Sequence, residues 1–286
     1  MTPGIEYALG ALVCFGLGDL IYKRGAAAGV QAHQFMMLQS WVFLATVAAY
    51  GWLSGTLAYV PGVWWGCVAG LFMVTGFYNF AYSLKTGSIS VNAPVFRLSF
   101  VITVVLAVVL LGEPLTLFKI TGFVLALAAV WLLLVAPATV NAAGMQPAQR
   151  ASLMRVLLAT VAVGIGNLIY KYGLAAGATP ASMMLAQACV VVSMSTVFTA
   201  VVERTIRPPR AAWQHAPAAG VVLGAAFILL LQALARGEAS VVVPVAQMGF
   251  VVTALLGFVL LREPFTARKA AGLVVAVGAL ACLAAG

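Results

Sequence analysis

Apolar residues fill this chain in ten runs, each separated from the next by a short polar or turn-forming break. The runs cover 5–22, 34–53, 62–84, 90–111, 118–135, 152–172, 181–202, 212–235, 240–261 and 269–285. A helix needs about 20 apolar residues to cross a bilayer, whereas a barrel strand needs only about 10. In lipid, every backbone polar group must find its partner within the segment or the sheet, so runs of this length predict transmembrane helices. The longest polar break, 136–150, falls between the fifth and sixth runs and divides them five and five.

The two sets of five are copies of one unit. Gly16-Leu-Gly18-Asp19-Leu-Ile-Tyr22-Lys23 returns 148 residues later as Gly164-Ile-Gly166-Asn167-Leu-Ile-Tyr170-Lys171, and Met36 and Gln39 return as Met184 and Gln187. Further on the offset becomes 150. Ser90, Pro94, Phe100, Thr103, Glu113-Pro114 and Lys119 align with Ser240, Pro244, Phe250, Thr253, Glu263-Pro264 and Lys269. Unrelated apolar helices share Leu and Val by chance, but not Pro, Glu-Pro and Lys in step. The expected organisation is a first five-helix repeat over 1–135, a linker over 136–150 and a second repeat over 151–286. An odd number of helices per repeat makes the second copy enter the membrane from the opposite side. Such inverted repeats place a site near the midplane where the halves meet and support alternating access. The fold class is therefore an all-α membrane protein, with ten transmembrane helices as two inverted five-helix repeats around a central cavity.

Composition agrees. The chain is 64% hydrophobic and 7% charged, where a soluble domain carries roughly 25% charged residues. The net charge of +9 is dispersed between apolar runs, which points to loops at a membrane face and not to nucleic acid. Eleven Lys and Arg lie in or next to the links after the odd-numbered runs and three in or next to the other links. The positive-inside rule then puts both termini outside. Met1–Gly10 lacks the basic segment that opens a signal peptide and reads as mature chain. Cys14, Cys67, Cys189 and Cys282 sit in apolar runs without paired spacing and read as close-packing residues.

Gly112-Glu113-Pro114 and Arg262-Glu263-Pro264 end the fourth and ninth runs, and Tyr22-Lys23 and Tyr170-Lys171 end the first helix of each half. With ten helices in two halves, these features resemble the EamA type of the drug/metabolite transporter superfamily over nearly the whole chain. The resemblance implies a ten-helix basket in the inner membrane and transport, often export, of amino acids or other small metabolites. It also implies cytoplasmic termini, the reverse of what the charge count gives.

Arg97 lies about eight residues into the fourth run, roughly 10 Å deep at 1.5 Å per residue. Either it faces a cavity and binds a carboxylate through its fork, or it snorkels or sits in a fixed ion pair. Its repeat mate is Gln247, so a site here would be asymmetric. Asp19 has three candidate roles: a pair with Lys23 one turn on, a partner for Arg97, or a protonatable coupling group. Its mate Asn167 cannot titrate. Thr75, Tyr78 and Tyr82 share one face of the third run, next to Asn79, and suit a cavity wall or an interfacial belt; Gln232 is the mate of Tyr82. Asn92, Ser99 and Thr103 form a stripe opposite Arg97 and suit helix contacts. Gln39 and Gln187 suit interhelical bonds or a lining. Gly16, Gly18, Gly164 and Gly166, with Gly66–Gly70 and Gly220–Gly224, would let helices approach closely. Glu113 and Glu263 precede Pro at helix ends and suit caps on the next helix, Glu6 suits the interface, and His33 and His215 lie in links. No cofactor or metal set is expected, and no nucleophile–base pair that would make an enzyme.

These features predict a secondary transporter of carboxylate-bearing solutes, with Arg97, Tyr78, Asn79, Tyr82, Gln247 and Gln232 as binding residues. Asp19 and Lys23 would be a coupling or ion pair, and a proton is a candidate coupling ion. The alternatives are a flippase for lipid-linked or amphipathic substrates and a membrane scaffold without a cavity.

Overall fold

A computed structural model describes residues 2–83, 89–134, 147–261 and 266–286. Twelve helices build it: α1 (Ile5–Ala27), α2 (Ala32–Leu53), α3 (Trp64–Ser83), α4 (Ile89–Arg97), α5 (Ser99–Leu111), α6 (Leu117–Leu134), α7 (Pro147–Ala175), α8 (Pro180–Glu203), α9 (Arg210–Arg236), α10 (Ala239–Gln247), α11 (Gly249–Leu261) and α12 (Ala267–Ala285), with a short 3-10 turn at Pro61–Val63 before α3. Eight spans are long and apolar enough to cross a membrane, and two shorter apolar helices, Val95–Leu111 and Leu117–Leu133, complete the ten.

Two of the ten expected helices are broken. The run at 90–111 divides at Leu98 and the run at 240–261 at Met248, which are repeat mates. Both break residues hold ψ near zero. Around them the backbone bonds tighten to three-residue spacing: Leu98 N–H to Val95 O at 3.1 Å, and Met248 N–H to Val245 O at 3.1 Å. Each break follows a proline by four residues, Pro94 and Pro244. A proline removes a helical N–H and crowds the preceding turn, so the same local weakening recurs in both copies.

The halves are inverted and interlocked. α1 begins at one end of the molecule, the proximal end. There Thr2 N–H bonds Ala284 O at 3.1 Å, and Thr179 bonds Thr56 O at 2.7 Å. α7, which opens the second half, begins at the opposite, distal end, where Ser152 meets Asn92 at 2.9 Å and the carbonyl of Ser83 at 2.7 Å. The main helix pairings cross between halves: α1 with α9, α10 and α11, α3 with α7 and α8, α2 with α8 and α9, α5 with α7, and α6 with α12. Neither half buries its own faces without the other.

The polar stripe opposite Arg97 packs between helices. Asn92, Ser99 and Thr103 are all buried, and Thr103 bonds the carbonyl of Gly164 at 3.0 Å. An aromatic cluster fills the centre: Phe227 meets Phe15, Phe43 and Tyr170 edge-on, with centroids 5.2, 5.9 and 6.5 Å away.

Candidate functional site

The break in α4/α5 delivers Arg97, the last residue of α4, to the face of α1. Its guanidinium donates to the carboxylate of Asp19, forming an ion pair within the first half, between α4 and α1. Thr253 of α11 completes the group, donating to Asp19 at 3.3 Å and lying 3.1 Å from the carbonyl of Gly16. Of the three roles open to Asp19, the structure thus displays the partnership with Arg97. Thr253 is a site residue that the sequence pattern did not single out. Its match to Thr103 was visible, but its role depends on α11 lying against α1.

Asp19 occupies the inward face of α1, the face of Ala8, Leu12 and Phe15, which are buried. Yet its side chain is 31% exposed, and that of Arg97 is 16% exposed. Tyr22, one turn nearer the distal end on the same side, is 36% exposed. Asp19, Arg97 and Tyr22 are thus only partly covered by their neighbours, in the distal half of the bundle. Asp19 is eight residues from the end of α1, about 12 Å from the distal end at 1.5 Å per residue.

The repeat-related positions are closed. Asn167 and Tyr170 are both 0% exposed, and Tyr170 bonds Gln187 at 2.5 Å. Its mate Tyr22 bonds Gln39 in the same way, so both glutamines tie the first two helices of a half together. All of α10 from Ala239 to Ala246 is buried, whereas Ala93, Val95, Phe96 and Arg97 of α4 are half-buried. Gln247 ends α10 as Arg97 ends α4, and is likewise half-buried.

Other expected binding residues stand apart. Phe80 of α3 stacks on Phe96 and Phe77 packs tilted against it, next to Arg97, and Tyr82, two residues past Phe80, projects to the other side of α3. Arg155 of α7 lies over the Tyr82 ring, 4.1 Å from its centroid, and donates to Asn79 at 3.2 Å. Tyr78 packs against Phe198 of α8 at 4.8 Å. Tyr78, Asn79 and Tyr82 therefore belong to an aromatic–guanidinium cluster near the distal rim. Arg155 is part of that cluster because α7 extends back to Pro147 and carries it within its first turns. Gln232 belongs to a matching cluster at the proximal rim, bonded to Tyr50 at 3.1 Å and Arg236 at 2.5 Å. Both clusters are interfacial anchors by position. Lys23 is exposed at the distal end, one turn beyond Asp19.

Glu113 corrects an expectation. Its carboxylate does cap a helix, but not the next one: it accepts from the N–H groups of Ala239 and Ser240, both at 2.8 Å, at the start of α10 in the other half. Its mate Glu263 lies outside the described residues. Cys189 is exposed and not a core residue.

Comparison with known proteins bears on this geometry. The chain matches the model of the EamA-like transporter family twice, over residues 2–135 and 151–285. No curated protein matches it. A crystal structure described only as that of a protein shares the fold with a TM-score of 0.83 at 18% sequence identity, over 98% of each chain.

Proposed function

The chain belongs to the EamA-like transporter family, which makes it a multi-pass membrane transporter of small solutes, and on that premise we propose that it moves amino acids or other carboxylate-bearing metabolites by alternating access. One observation carries this reading: the Asp19–Arg97 pair is partly exposed in the distal half while Asn167, the mate of Asp19, and Tyr170, the mate of Tyr22, are fully buried. Broken helices at a repeat interface are where transporters of inverted architecture hold their substrates.

The charge balance narrows the solute. Asp19 and Arg97 neutralise each other, so a plain anion that took Arg97 would strand a carboxylate in a low-dielectric wall. A solute carrying both carboxylate and ammonium replaces one ion pair with two. Amino acids fit this exchange, with the guanidinium fork taking the carboxylate and Asp19 taking the ammonium. An apolar groove of about 300 Å³ along α5 and α6, walled by Val104, Val105, Val108, Val109 and Phe123 and lined also by Lys119 and Ser240, has neither Asp19 nor Arg97 in its lining. Lys119 is held there by Glu238 and the Pro114 carbonyl, so the groove gives the flippase alternative no uncommitted charge.

The test is counterflow in proteoliposomes, with amino acids, primary amines and organic acids as solutes. Amino acids should exchange, Arg97→Gln should reduce that exchange at least tenfold, and Asp19→Asn should weaken amino acids more than organic acids. Exchange of amines alone, unchanged in Arg97→Gln, would overturn the assignment.

A further inference from the structure

The proximal end is closed by charged groups that act on the backbone of the α9–α10 corner. Glu113 comes from the loop after α5, and its two carboxylate oxygens take the N–H groups of Ala239 and Ser240 at 2.8 Å each. The first N–H groups of a helix have no partner within it, and the helix dipole favours an anion there. Lys171 of α7 does the converse at the end of α9, donating to the carbonyls of Leu234 and Gly237 at 2.7 and 2.5 Å. Lys119, at the start of α6 and only 3% exposed, bridges Glu238 and the carbonyl of Pro114. Both ends of the corner are thus held by charges of the sign each attracts, from elements of both repeats. Outside it a pocket of about 520 Å³ opens on the proximal face, lined by Thr2, Lys171, Arg236 and Glu238. Inside it every residue of α10 up to Ala246 is buried.

We infer that Glu113, supported by Lys119 and Lys171, is the latch that holds the proximal end shut while the distal end is open. Glu113 touches no solute; it is a positioning residue that keeps the start of α10 seated. Opening the proximal end requires α10 to leave this seat, so removing the carboxylate charge favours the opposite state. The inference rests on the alternating-access reading proposed above.

The repeat mates Tyr22 and Tyr170 report the two states, since one is 36% and the other 0% exposed here. Tyr22→Cys and Tyr170→Cys are each placed in a background with Cys14, Cys67, Cys189 and Cys282 changed to serine. Initial rates of reaction with a water-soluble thiol reagent are then measured on purified protein in detergent. Position 22 should react at least tenfold faster than position 170. Glu113→Gln, which keeps the shape but loses the charge, should slow position 22 and speed position 170, lowering their ratio about tenfold, the factor for a change of about 1.4 kcal/mol. Lys119→Met should shift it the same way, and supplies the answer if Glu113 variants do not fold. A ratio unchanged by both variants, or both rates rising together, overturns the latch. Equal rates at the two positions before any latch substitution overturn alternating access itself.

Discussion

Asp19 and Asn167 hold the same place in the two repeats, and a single charge separates their roles. Asp19 has Arg97 and Thr253 as partners. Asn167 is fully buried, donates weakly to Thr103 at 3.5 Å, and its Oδ1 has no partner among the described residues. A buried, unpaired carbonyl costs about 1–3 kcal/mol. Asn167→Leu, which removes that group at similar volume, should leave the thermal midpoint in detergent unchanged or raise it. Asp19→Asn should lower it, by about 1–2 kcal/mol of stability, because Arg97 loses its charged partner in a half-exposed setting. The opposite ranking of the two melts would show that Asn167 is well satisfied and that the pair contributes nothing. Arg97 and Asp19 were legible from sequence as charges where lipid should be. Their meeting was one of three roles left open, because choosing it depends on α4 ending at residue 97. For Tyr78 and Tyr82 a helical pattern gives a shared face but not which neighbour that face meets, here Phe198 and Arg155.

Hydropathy drew every span but missed both breaks. Leu98 and Met248 are as apolar as their neighbours, so the run continues through them, and the only written signal is a proline four positions earlier in each copy. Glycine spacing was more informative. A Cβ on Gly16 would come within 2.6 Å of the Gly249 carbonyl, and one on Gly164 within 2.8 Å of the Ser99 carbonyl. These are repeat-related backbone approaches, in which α1 meets the start of α11 and α7 meets the start of α5. A backbone carbonyl cannot rotate aside as a flexible side chain can. Gly16→Ala should therefore destabilise by about 1–3 kcal/mol through overpacking, more than the roughly 1 kcal/mol that helix propensity returns. It should also part Thr253 from Asp19 and impair transport. Gly278→Ala is the control, since its nearest neighbour is a Leu125 methyl at 3.6 Å, and its melt should match the parent or exceed it. Equal melts for the two variants would mean that α1 and α11 can separate freely.

At the scale of the whole molecule, charge divides sharply between the ends. The distal end carries Lys23, Arg24, Arg150, Arg155, Arg204, Arg207, Arg210, Arg268 and Lys269, with Glu203 paired to His33 at 2.5 Å. At the proximal end Lys119, Lys171 and Arg236 are matched by Glu6, Glu113 and Glu238. Lys119 and Lys171 are, moreover, engaged within the latch. The cations that set orientation are those in short loops near the span ends, and they stay on the cytoplasmic side. The distal end should therefore face the cytoplasm, and loading from inside at Asp19 and Arg97 would suit an exporter. This orientation is the reverse of what the family resemblance alone implies. Tyr59, 87% exposed in the proximal loop, and Arg207 in the distal loop report it. In the cysteine-free background, a membrane-impermeant maleimide applied to intact cells should label Tyr59→Cys and spare Arg207→Cys until the membrane is permeabilised. The reverse pattern would put the latch on the cytoplasmic face and make the state described here the one that loads from outside.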